Sequence, residues 1–192
     1  MARSDGAYDS AEGSACVAEG GAAHAEGIRT LASGVASHAG GSDSAATRLG
    51  QLARSSGKLS VQGDAQFGQV YLMFASNDAA AHVLVIGGGA GVTFFLEPNK
   101  SYAYRYTIIA RSNALGISKV WTGVGGVKVV GGVCTPIAGG AGPVSFGDVG
   151  TGAWTAAEFT NNVGGSLDLI VQDPGGGRIN WVAELSWVET LL

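Results

Sequence analysis

The chain has 192 residues, of which 33 are glycine and only 4 proline, and its hydrophobic fraction is 46% with no strict Gly-X-Y period. Collagen and plain disorder are excluded, and this much glycine does not suit an ordinary enzyme core. Charged residues make up 14%, and a net charge of −4 leaves too few cations to build a nucleic-acid-binding face.

No apolar h-region follows Met1, so a secretory signal is not expected. From Gly6 the chain keeps a strict beat of seven. Gly6, Gly13, Gly20, Gly27, Gly34 and Gly41 fall in one column; Ala11, Ala18, Ala25, Ala32, Ala39, Ala46 and Ala53 fall in another. A coiled coil needs large apolar residues at a and d, and none are present. Interior glycines would also cost a helix about 1 kcal/mol each relative to alanine. The period instead predicts a short strand and a tight turn per heptad, with glycine supplying positive φ at each turn. His24 and His38 sit fourteen apart in matching flanks, AAHAEG and ASHAGG, so one coil is two heptads and about four coils fit before the pattern decays near Arg48. Such a roll encloses mostly alanine, with Val17, Leu31 and Leu52 as occasional larger residues. One copy buries too little apolar surface to offset its ordering entropy, and a cyclic homo-oligomer is the economical remedy.

After Gly57 the composition turns β-branched and aromatic, which sets a boundary between a repeat segment, 1–57, and a second domain, 58–192. Strands are predicted over Lys58–Gln62, Gln66–Phe74, His82–Ile86, Val92–Leu96, Ser101–Arg111, Lys119–Val130, Ser166–Gln172 and Ile179–Val188. Turn signals separate them at Ser76-Asn77-Asp78, Gly87-Gly88-Gly89, Pro98-Asn99, Asn161-Asn162 and Asp173-Pro174-Gly175. The fold class is all-β: an N-terminal trimeric roll followed by an antiparallel β-sandwich of jelly-roll kind. Prolines and glycines interrupt the longest uncharged run, Lys128 to Asp148, so no membrane insertion is expected.

The segments SHAGG, AHAEG and LASG resemble the SHAEG/ASG heptads of trimeric β-roll head repeats in bacterial trimeric adhesins and tailed-phage fibre proteins. Gly57–Gln66 and Arg178–Glu189 resemble a module that follows such repeats in phage structural proteins. The resemblance implies a homotrimeric virion surface protein that is made in the host cytoplasm and is not a catalyst. Fibres ordinarily carry an anchoring domain before the shaft. With repeats starting almost at Met1, the expectation is a capsid decoration or cement protein seated on the major capsid protein or another virion protein. A receptor-binding fibre tip contacting host surface glycans is the alternative, and a bacterial adhesin head the third reading.

Candidate sites are few, and no catalytic residue, metal ligand set or cofactor is expected. The run Val83 to Val92 has strand-then-glycine character, but a dinucleotide motif would need glycine where Val92 stands. His82, near Asp78, has no nucleophile motif to serve. Glu12 and Glu26 stack at the coil spacing and could invite a cation, and His24 and His38, placed with the repeat glycines and alanines among the trimerisation residues, could meet their symmetry mates near an axis and hold a metal or anion; solvated carboxylates and packed rings are the simpler readings. Cys16 and Cys134 read as small buried thiols. Tyr102, Tyr104 and Tyr106 alternate along one strand and therefore share a face, as core residues or as a glycan platform.

Overall fold

A computed structural model describes residues 1–89, 91–137, 141–161 and 165–191. Among these residues every regular element is a strand, and there is no helix. The chain forms two compact units, Met1–Val70 with Ser186–Leu192, and Tyr71–Leu185.

The first unit is a β-solenoid. Its strands are β1 (Arg3–Ser4), β2 (Ser10–Ser14), β3 (Val17–Ala18), β4 (His24–Ile28), β5 (Leu31–Ala32), β6 (His38–Ser42), β7 (Ala45–Ala46) and β8 (Leu52–Ser56). The five-residue strands stack in parallel as β2-β4-β6-β8 and the two-residue strands as β1-β3-β5-β7. Ser10 pairs with His24, His24 with His38 and His38 with Leu52, so each coil is fourteen residues, two heptads, as the spacing predicts.

The heptad is half a coil. Ala11, Ala25, Ala39 and Ala53 point inward from the longer strands, and Ala18, Ala32 and Ala46 point inward from the shorter ones. Six of these seven are completely buried. Opposite walls that both present methyl groups can lie close together, and this is why the interior takes alanine at every seventh position. Val17, Leu31 and Leu52 are only half-buried. They lie on the outer faces and not inside the roll as expected, because residues adjacent to the inward alanines alternate to the other side of the strand.

Glycine has two separate duties at the corners. At Gly27 φ is +107°, and a Cβ would lie 3.0 Å from the carbonyl carbon of Gly41 on the next coil. At Gly20 φ is not positive, and what forbids a side chain is proximity: a Cβ would lie 2.5 Å from the carbonyl carbon of Gly34. Gly6 and Gly34 likewise lack positive φ, so the expectation of positive φ at every glycine is corrected for that half of the column. Positive φ at that corner is carried instead by Tyr8, Ala22, Ala36 and Gly50. In the two stacked glycine columns that end at Arg48 and Ser55 the constraint comes from the coil above, so the last coil escapes it. Arg48 and Ser55 stand there, and the repeat decays where the stacking ends.

The segment after Gly57 closes the solenoid. Lys58–Gln62, predicted as a strand, is a loop held by the Asp64 carboxylate, which accepts hydrogen bonds from the backbone N–H groups of Leu59 (2.9 Å), Ser60 and Val61 (2.7 Å). The Gln66 side chain accepts from Ala45 N–H at 2.8 Å and donates to Ala45 C=O at 2.9 Å, replacing the rung a further coil would supply. Its amide also donates to the buried Glu189 at 2.8 Å. On the other ladder, β9 (Ala65–Ser76) pairs antiparallel with β8. Together these contacts satisfy edge groups that would otherwise recruit another strand. For this reason the unit extends past the Gly57 boundary read from composition, to Val70.

The second unit holds β10 (His82–Val83), β11 (Val85–Ile86), β12 (Phe94–Phe95), β13 (Lys100–Ser112), β14 (Ser118–Val130), β15 (Val133–Pro136), β16 (Ala141–Gly147), β17 (Thr155–Asn161), β18 (Ser166–Gln172) and most of β19 (Ile179–Leu191). One antiparallel set runs β15-β14-β13-β19-β9, with β11 on β9 and β16 on β14; a second joins β10, β12 and β17 to β18. Its core is aromatic: Trp181 lies 5.5 Å from Trp121 and 6.1 Å from Trp154 between ring centroids. The Trp181 indole N–H donates to Ser76 at 2.8 Å, and Ser76 donates in turn to Asp173. Of the expected turn at Asn161-Asn162, Asn161 ends β17 and Asn162 lies outside the described residues.

Candidate functional site

The outer face of the longer ladder concentrates the polar chemistry of the solenoid. Side chains two apart on one strand share a face, and register stacks each on its partner fourteen residues on. The columns are Ser10–His24–His38–Leu52 and, beside it, Glu12–Glu26–Gly40–Arg54.

His24 and His38 meet edge to face, with ring centroids 4.7 Å apart. Both turn Nε2 toward Glu26, at 3.7 Å from Oε2 for His24 and 3.3 Å from Oε1 for His38. The hydrogen bond and charge of His38, with a smaller part from His24, hold the Glu26 carboxyl below its ordinary value despite some desolvation. The two histidines are therefore brought together within one chain, with Glu26 between them. Glu12 is the register partner of Glu26 and accepts a long hydrogen bond from the Ser10 hydroxyl, at 3.5 Å.

Gly40 is the residue that repeat reading passes over. It occupies the place where the two preceding coils carry glutamate, and a Cβ there would lie 3.2 Å from Glu26 Oε1 and 3.7 Å from His38 Nε2. The missing side chain leaves a hollow of about 330 Å³ lined by Glu26, Gly40, Gly41, Arg54, Ser55 and Ser56. The only signal in the sequence is the break from AEG to AGG at one coil.

At the neighbouring corner Arg29 grips Asp43 through two parallel bonds of 2.8 and 2.7 Å, one coil apart. That guanidinium, helped against desolvation by Ser42 and Lys58, brings the Asp43 carboxyl down to about 2. Neither residue stands out in the heptad pattern, because each is a single substitution in its column.

The remaining predicted residues fall elsewhere. Tyr102, Tyr104 and Tyr106 are 1%, 8% and 3% exposed, so their rings fill the core of the second unit and present no platform to a sugar. Tyr104 and Tyr106 face Glu158, whose carboxyl burial pushes up against the opposing pull of those two hydroxyls. His82 stacks on Phe74 at 4.4 Å and bonds Asp78 at 2.6 Å, a local surface pair. Gly87, Gly88 and Gly89 all have positive φ and form a turn, as the failed dinucleotide spacing implies; Ala90 lies outside the described residues. Cys16 and Cys134 are buried free thiols.

No family profile and no curated protein matches the sequence. Among solved structures, the chain is similar to the Acinetobacter baumannii phage AM24 tailspike protein, at a TM-score of 0.36 and 12% identity over 86% of this chain. It spans 33% of the length of that tailspike.

Proposed function

We propose that this protein is a structural component of a tailed-phage virion: a homotrimer that decorates the capsid, with a trimeric solenoid and a jelly-roll-like sandwich as its two parts. The carrying observation is that the heptads resembling trimeric head repeats fold into stacked coils with an alanine interior and larger apolar residues outside. Val17 sits under Leu31 in one outward column, and Val35 under Leu49 in another, with Val35 56% exposed and Leu49 38%. Burying a Val or Leu side chain is worth about 1.5–3 kcal/mol, more than an alanine methyl can supply from within, so association around an axis provides what the narrow core lacks.

Four rungs of parallel ladder span about 20 Å. Repetition over a lattice adds avidity to weak individual contacts, and binding to the assembled shell stabilises it by linkage. Partners on this reading are other copies of the chain and the major capsid protein, and the protein performs no catalysis.

Particles lacking the protein test the assignment. A decoration protein predicts normal adsorption to cells with genome release at lower temperature. Unchanged heat tolerance with lost adsorption would instead make it a receptor-binding fibre tip.

A further inference from the structure

We propose that His24, Glu26 and His38 form a binding site for a divalent transition-metal ion of the zinc type, on the outer face of the solenoid. His24 and Glu26 are two apart on β4 and so project to one side, while parallel register sets His38 of β6 over His24. Their donor atoms all lie within 4.8 Å of one another. A tetrahedral zinc ion with bonds of about 2.0–2.2 Å has ligand atoms roughly 3.3–3.5 Å apart along each edge. The separation of 3.3 Å between His38 Nε2 and Glu26 Oε1 already has that value; His24 Nε2 lies 3.7 Å from the other oxygen, Oε2, so a small turn of the carboxylate or of the His24 ring completes the set. The remaining closure needs side-chain torsions alone, and the histidines have room for it, with 33% and 37% of their side-chain surface exposed.

The donor set selects the ion. Two imidazoles with one carboxylate suit zinc and its neighbours, whereas calcium and magnesium want oxygen throughout. Gly40 keeps clear the space beside Glu26 Oε1 and His38 Nε2, so a fourth ligand can enter from the hollow. Arg54 on the far wall is no ligand; its positive charge favours an anion, chloride or carboxylate, in that open position. A bound ion would tie consecutive coils together through side chains, stabilising the solenoid by binding linkage.

The test uses the full untagged chain, stripped with chelator and titrated with zinc chloride, with magnesium chloride in parallel, above the pH at which imidazole is protonated. Calorimetry should give one zinc per chain and no magnesium, and zinc should raise the melting temperature. His38→Gln and His24→Gln should each weaken zinc binding by at least about tenfold, the scale on which even ligand-supporting residues act. Both side chains are partly exposed, and far-ultraviolet circular dichroism checks that each variant keeps the fold. Failure of zinc to bind the folded chain overturns the proposal, as does binding that survives both substitutions.

Discussion

Replacing Gly20 with alanine should damage the solenoid far more than the same change at Gly21, its neighbour in the chain. At Gly20 the new methyl carbon would lie 2.5 Å from the carbonyl carbon of Gly34 and 2.9 Å from that of Ser33. Carbon atoms pack at about 3.5–4.0 Å, so the coil above must lift by roughly 1 Å or more. That movement strains nearby rungs, including Glu19 N–H to Ala32 C=O at 3.0 Å and Ala36 N–H to Gly21 C=O at 2.9 Å. Two hydrogen bonds at about 1 kcal/mol each, with about 1–3 kcal/mol for overpacking, place the loss near 3–5 kcal/mol. At Gly21 nothing lies within 4 Å of an added Cβ, and the cost is only that of φ at +76°. That cost is about 1–2 kcal/mol, partly offset by the stiffer unfolded chain. Urea titration followed by far-ultraviolet circular dichroism, at one protein concentration so that assembly is held constant, measures the difference. Equal destabilisation by Gly20→Ala and Gly21→Ala would refute the close-approach argument.

Two further outcomes follow from the buried and paired carboxylates. Asp43, at about 2 against an ordinary 3.8, binds protons less readily folded than unfolded. Its stabilisation is therefore present above the ordinary value and lost as pH falls toward 2. Asp43→Asn should flatten the decline of the melting temperature over that acid range, and an unchanged acid profile would show that the Arg29 pair contributes nothing. Glu158 has the opposite sign, since burial raises its carboxyl and favours the neutral form. Its contribution is greatest at low pH and lost as pH rises, so Glu158→Gln, which keeps the size and neutrality of the protonated acid and one accepting oxygen, should hold or raise stability at neutral pH; a clear loss there would contradict this.

Much of the solenoid is readable from the sequence because one physical requirement, a methyl-sized interior, recurs at every half-coil and writes itself as a period of seven. The long strands of the second unit are readable for the same kind of reason: Ser101–Arg111 alternates strictly and emerges as Lys100–Ser112. So is Lys119–Val130, which emerges as Ser118–Val130. The reason for its glycines is not: Gly123 and Gly125 are the register partners of Tyr106 and Tyr104, whose rings lie where a Cβ would stand. Glycine there belongs to a cross-strand pair, a property of the partner strand and invisible locally. The same region hides Val133–Pro136, Ala141–Gly147 and Thr155–Asn161, three strands without apolar alternation strong enough to read. Leu59 and Val61 mislead in the other direction: their alternation suggests a strand, but both are exposed on the cap loop that Asp64 organises. At the candidate site, the fourteen-residue spacing reveals the paired histidines, whereas the gap left by Gly40 has meaning only once register places it beside Glu26.

The association that the alanine interior demands is tested most directly by the mass of the purified chain in solution. Light scattering coupled to size exclusion should return about three times 19.2 kDa, persisting on dilution. A folded, stable monomer of 19.2 kDa would contradict the account, because the outward columns of Val17, Leu31, Val35 and Leu49 would then have no partner to bury them.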